Sequence, residues 1–378
     1  MKNRRKFLVK SLALGGGILA LSPMLNASQS PKNAQNTKIP IANTSQEAAR
    51  NAAKNPFGLV YKNALSKNEK GKVQIQSVNY ESRGLKIKAN AYTPPSFNLE
   101  QKFPAIVVAH PNGGVKEQVA GLYAQNLAEL GYITLAFDAA YQGASGGIPR
   151  NIDTPYHRTE DIYAALDFLS KFQGVDKERL GILGICGGGG YTLNAAKADK
   201  RLKAVATLSM FNTGRVRRNG FLDADKENIQ TRLTQASQAR QKESLTGEIS
   251  YTGSAPKKLS EEELNKIPAG LYREGRIYYS DTHAHPNSTS RFTTSSLSEL
   301  IPFDATNQIE LINAPLLLIV GDKADTAYMS EEAFKKANGA KNKEIFKLKD
   351  STHIQTYYEP RIVQEALKKL EAFYKENL

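Results

Sequence analysis

The chain has 378 residues, with 51 Lys or Arg against 37 Asp or Glu, and a formal net charge of +14. It is 40% hydrophobic, with Tyr and Phe spread along its length, which excludes a disordered chain and suits two average domains or one large α/β domain with an insertion. Its single cysteine excludes an internal disulfide framework and a multi-cysteine zinc site. Basic residues are interleaved with acidic ones and form no long block, which points to a soluble basic protein rather than a nucleic-acid binder.

In chain order, "NRRKFLV" at 3–9 pairs Arg4 and Arg5 ahead of the short apolar run "SLALGGGILAL". This resembles a twin-arginine export signal over residues 1–27, with cleavage near Ala27. The run is too short and glycine-rich for a membrane span, so a periplasmic or secreted protein without stable membrane insertion is expected. Those 27 residues hold five Lys or Arg and no acid, so processing would leave +9. Residues 28–45 are rich in Ser, Asn, Gln and Pro and read as a loose linker, within a linker and N-terminal segment reaching residue 60.

The domain is assigned to 61–378. "KVQIQSVNYES" and "LKIKANAYTPP" alternate with period two and read as an antiparallel pair. "FPAIVVAH", "YITLAFD", "RLGILGIC", "LKAVATLSM", "APLLLIVGD" and "KEIFKLKD" read as strands covered on both faces. Amphipathic segments separate most of them, including "TPYHRTEDIYAALDFLSKF" with Thr154 at the cap and Pro155 just inside, and the chain closes on a helix from "EPRIVQEALKKL" onward. Alternating strands and crossover helices give a mainly parallel, doubly wound α/β sheet. Residues 212–312 break the rhythm. They are polar, hold short helical pieces and no buried-strand run, and read as a helical cap inserted over the strand ends.

The lone cysteine lies in "GILGICGGGGYTL". Gly184-Ile185-Cys186-Gly187-Gly188 has the G-x-C-x-G form of a nucleophile elbow, in which small residues on either side let strand and helix backbones approach closely. The helix N-terminus favours thiolate over thiol, so rapid alkylation is expected. The alternative is a buried structural cysteine packed by glycines. His353, in "KDSTHIQ" after the sixth of these strands, is placed to take the thiol proton directly. An orienting acid belongs in "GDKADTAYMSEE", where Asp325 is preferred over Asp322. The oxyanion donors are the backbone N–H of Gly187 and one from "HPNGG"; Pro111 has none, which leaves Asn112 or Gly113, and Asn112 is taken. Asp138 and Ser145, in "FDAAYQGASGG", are read as organising their loop. His283 and His285 form an isolated H-x-H, weak as a metal site. Nothing in the sequence calls for a cofactor.

Together "AHPNGGVKEQVAGLYAQNLAELGYITLAFDAAYQGASGG", "GILGICGGGGYTLNAA", "HPNSTSRF" and "PLLLIVGDKADTAYMSEE" resemble the α/β hydrolases grouped with dienelactone-hydrolase-like proteins and the polyketide transferase family. The likeness runs from about residue 75 to the end. It implies the α/β-hydrolase fold and acyl-transfer chemistry on a small-molecule acyl substrate, with Cys186 as nucleophile and His353 as base. It also places the H-x-H stretch in the cap, near the site mouth. The expectation is an exported hydrolase of a carboxylic ester, thioester or lactone. The competing readings are an acyltransferase on the same site and a non-catalytic periplasmic binding protein. Oligomeric state stays open.

Overall fold

Continuous apolar runs can be buried only in a sheet covered on both faces, and here they form one sheet of eight strands. The structure, a computed structural model, describes residues 45–254 and 256–378; the expected export signal over 1–27 and the expected linker up to residue 44 lie outside them. The chain enters through α1 (Gln46–Ala53), where the Ser45 hydroxyl accepts the Ala48 N–H. The sequence reading took this stretch for linker and N-terminal segment. Strands β1 (Gln74–Ser82) and β2 (Leu85–Thr93) pair antiparallel. There follow β3 (Phe103–Ala109), α2 (Val119–Glu129), β4 (Ile133–Phe137), α3 (Pro155–Lys171), β5 (Val175–Ile185), α4 (Gly187–Ala198) and β6 (Leu202–Leu208).

Between β6 and the return to the sheet lies the cap. It holds α5 (Thr213–Asn219), α6 (Ile229–Thr246), β7 (Tyr251–Thr252), α7 (Glu261–Asn265), α8 (Leu271–Ile277), β8 (Phe292–Thr293) and α9 (Leu297–Leu300). Its pieces are not all short: α6 runs 18 residues and buries only Ala236 and Ala239, so no apolar stripe announced it. The two-residue strands β7 and β8 pair antiparallel and are too brief to show a period. A small core of Ala236, Phe292, Leu297, Leu300 and Ile301 holds the cap together.

The chain then completes the sheet with β9 (Leu316–Gly321), α10 (Ala327–Lys336), β10 (Lys343–Leu348), the short α11 (Gln355–Tyr358) and α12 (Pro360–Asn377). The strand order is β1-β2-β4-β3-β5-β6-β9-β10, parallel throughout except where β2 meets β1 and β4. Helix α12 presents Ile362, Ala366, Leu370 and Tyr374 at fourfold spacing to the core, and the Tyr374 hydroxyl donates to the Ile182 carbonyl at 2.8 Å. This is the α/β-hydrolase architecture that the sequence implied. Parallel strands bring their C-terminal ends to one edge of the sheet, where open α/β sheets place their sites. That edge collects the segments after β3, β5, β9 and β10. The loop after β4 is organised as expected: Asp138 accepts from Lys116 Nζ and the Lys116 and Ala144 amides, and Ser145 Oγ donates to the Asp138 carbonyl.

Burial holds all five histidines below the ordinary imidazole range: His110 and His353 to about 3, His283 to about 4, with His157 and His285 lowered. Each therefore takes up a proton on unfolding once the pH falls below its unfolded value of about 6.5. The unfolded state binds more protons in that window, so stability drops as pH falls from about 6.5 toward 4. Urea midpoints measured from pH 7 to 5 should decline steadily; a constant or rising midpoint contradicts this.

Candidate active site

Cys186 sits between β5 and α4 with φ 54° and ψ −122°. A non-glycine residue there carries strain of about 1–3 kcal/mol and persists only where its surroundings enforce it. The enforcement is crowding. A Cβ on Gly184 would meet Thr192 Oγ1 at 2.4 Å and the Gly189 Cα at 2.6 Å; one on Gly188 would meet the Ala109 carbonyl at 2.5 Å. These glycines let α4 press against β5 and β3, and the bend left over is taken by Cys186.

Cys186 lines a cavity of about 420 Å³, whose walls include Asn112, Phe211, Leu271, Tyr279 and Phe292. Most of these walls come from the cap. The backbone N–H groups of Gly187 and Asn112 both approach the sulfur and favour its anionic form. The Asn112 side chain is fixed by an Nδ2 bond to Thr213 Oγ1 at 2.8 Å, and it leaves no room for a Cβ at Gly187, which would meet Asn112 Oδ1 at 2.1 Å. Burial nonetheless outweighs these donors and pushes the thiol above its ordinary value. Cys186 is only 9% exposed. Burial thus opposes the thiolate expected from the helix dipole.

His353 is fully buried in the segment after β10. It does not reach the sulfur directly. Its Nε2 is 2.9 Å from the Tyr357 hydroxyl, which stands in hydrogen-bonding range of Cys186, and its Nδ1 is 2.6 Å from Thr326 Oγ1. Neither aspartate orients the imidazole. Asp325 Oδ2 accepts the Leu271 N–H at 2.9 Å, at the start of α8, and Asp322 Oδ1 accepts the Ser351 N–H at 3.2 Å. Asp325 is one residue from the position that meets the ring, and its carboxylate turns toward the cap. The assignment of Asp325 as the orienting acid is thus corrected: a neutral hydroxyl, Thr326, occupies that place. Tyr357 was missed, although its position one helical turn after His353 is a signal in "HIQTYY". His283 and His285 do not line the cavity. His283 stacks on Tyr278 with ring centroids 4.4 Å apart, and buried His285 accepts the Asn287 N–H at 3.2 Å.

A strained residue at a strand-to-helix turn, two amides converging on its side chain and a buried histidine behind it define an α/β hydrolase. A family model described as the dienelactone hydrolase family matches residues 87–211. The uncharacterized protein YcjY of Escherichia coli (strain K12) is 36% identical over 81% of this chain and 99% of its own length. The crystal structure of hypothetical protein PA2218 from Pseudomonas aeruginosa superposes with a TM-score of 0.73 at 34% identity, covering 83% of this chain and 99% of that one. Thiohydrolase aneE of Aspergillus aculeatus is 25% identical over 70% of this chain and 81% of its own length. The chain belongs to the dienelactone hydrolase family and is a hydrolase of that type.

A buried, protonated thiol reacts slowly with electrophiles, because the thiolate is the nucleophile. Iodoacetamide at pH 7 should modify Cys186 at least tenfold more slowly than free cysteine, and denaturation should abolish the difference. Labelling faster than free cysteine would show a resting thiolate and contradict this picture.

Proposed function

We propose that this hydrolase cleaves a carboxylic ester, thioester or lactone through an acyl-enzyme on Cys186. The observation that carries the reading is the convergence of the Gly187 and Asn112 amides on a strained cysteine that lines the cavity. When the sulfur attacks a carbonyl, the oxygen bearing the developing charge falls beside these donors, which need no reorganisation to receive it. His353 serves as the base, and water resolves the acyl-enzyme. The thiol and imidazole both rest neutral, so the proton moves only as the carbon–sulfur bond forms. Asp325 has no part in the chemistry; it tethers the α8 helix that walls the cavity. The thiohydrolase relative favours the thioester among the three substrate types.

The cavity adds a preference. Among the described residues, Arg217 and Arg276 line it and no Asp or Glu does. The neighbours of Arg217 on α5 are paired: Arg215 with Asp223 and Glu332, Arg218 with Asp304. Arg217 makes no ion pair among the described residues; its Nε is buried without a hydrogen-bond partner, and its guanidinium lies 4.6 Å over the Phe292 ring. A partly buried guanidinium left without an anion is costly unless a ligand supplies one. The substrate accordingly carries an anionic group on the side of the scissile carbonyl that faces α5.

Two matched p-nitrophenyl esters, the acetate and the hemisuccinate, test both parts. Cys186→Ala should abolish turnover of both. Arg217→Ala should lower kcat/KM for the hemisuccinate about tenfold or more, the size of a hydrogen bond to a charged group, and leave the acetate within about twofold. Unchanged turnover in Cys186→Ala removes the mechanism, and equal losses on both esters in Arg217→Ala remove the charge preference.

A further inference from the structure

The hydroxyl of Tyr357 occupies the gap between nucleophile and base. It contacts His353 Nε2 at 2.9 Å, lines the same cavity wall as Cys186, and is a hydrogen-bond partner that favours the ionised sulfur. Its position is tightly set. Tyr357 is 1% exposed, on α11, and its ring packs edge-on against Tyr278 at 5.4 Å and against His353 at 5.5 Å. A hydroxyl is both donor and acceptor, so it can take a proton from one side while giving one to the other. His353 Nε2 must then be the acceptor nitrogen, which puts the ring proton on Nδ1, where Thr326 Oγ1 receives it at 2.6 Å.

We infer that Tyr357 is a catalytic residue that relays the proton between Cys186 and His353. This rests on the reading of Cys186 as nucleophile. As the sulfur lone pair bonds to the substrate carbonyl carbon, the S–H proton passes to the Tyr357 oxygen and the Tyr357 proton passes to Nε2. The carbonyl π electrons move onto the oxygen held by the Gly187 and Asn112 amides. On collapse, the carbon–leaving-group bond breaks with its electron pair. The leaving atom takes a proton back along the same path, from Nε2 through the hydroxyl. Water then repeats the cycle: its proton travels outward through Tyr357 as its oxygen attacks the acyl carbon, and returns to the sulfur as the thioester opens. Tyr357 ends each step neutral. Among the described residues, no carboxylate stands beside the ring at rest: the ring is neutral before attack, and the imidazolium exists only from attack until collapse, opposite the oxyanion held by the Gly187 and Asn112 amides.

The test is a proton inventory on the full-length enzyme with p-nitrophenyl acetate, measuring kcat/KM in mixtures of H2O and D2O, alongside Tyr357→Phe. The wild-type plot should bow downward, as two protons in flight require. Tyr357→Phe should lose about 100-fold or more in kcat/KM, the range of a general acid–base contribution, and its residual inventory should be straight, with far-ultraviolet circular dichroism and the urea midpoint close to wild type. A straight wild-type inventory overturns the relay, whether or not the variant folds. So does a folded Tyr357→Phe enzyme within about threefold of wild type, which would mean that His353 reaches the sulfur itself. Cys186→Ala in the same series separates the two failures: if it is inactive while Tyr357→Phe is not, only the relay falls, and if it stays active, the nucleophile assignment falls as well.

Discussion

The crowding of β5 against α4 sets everything else. With Gly184 against Thr192 and Gly188 against the Ala109 carbonyl, no side chain fits between strand and helix. The helix can start there only if one residue adopts a left-handed bend, and that residue is Cys186 at φ 54°. The same closeness brings the β3 segment, and with it Asn112, alongside Gly187. The strained cysteine and the two amides beside it are thus consequences of a single packing requirement, met by glycines where no other residue fits.

The cost of this placement is electrostatic. The pivot is buried, and burial opposes charge on every titratable group near it: the Cys186 thiol is raised and His353 is lowered to about 3. Among the described residues no carboxylate supports an ion pair at rest, since the ring faces Thr326. A neutral resting pair suits a hydrolase that develops charge only against prepared donors, in a cavity the cap helps to enclose. The cap does more than cover. It supplies α8, tethered by Asp325, and the two arginines, Arg217 and Arg276, that bring positive charge to the cavity.

The strands and core helices could be read from the chain because each buries a continuous run or a fourfold stripe, and such patterns depend on the local sequence alone. The elbow could be read because its glycines are adjacent in sequence. What escaped depends on side-chain direction. Asp325 and Thr326 are neighbours at a loop-to-helix junction, where one step turns the side chain to a different face, so spacing could not tell which meets His353. Tyr357 went unread because nothing in its local sequence separates it from the neighbouring Tyr358. The two-residue ribbon and the polar α6 carry no periodic signal, since little of them is buried. The environment of the thiol is hidden for a related reason: sequence shows the helix end, whose effect is local, and not the burial, which comes from the whole fold and raises the thiol.

The central claim is that substrate carbon becomes bonded to this sulfur. Rapid acid quench of the enzyme with excess p-nitrophenyl acetate, followed by intact-mass and peptide-mass spectrometry, tests it directly. The account predicts one acetyl group per chain, located on Cys186 and lost on standing at the rate of steady-state turnover. An adduct on any other residue, or turnover with no adduct at any quench time, would contradict it.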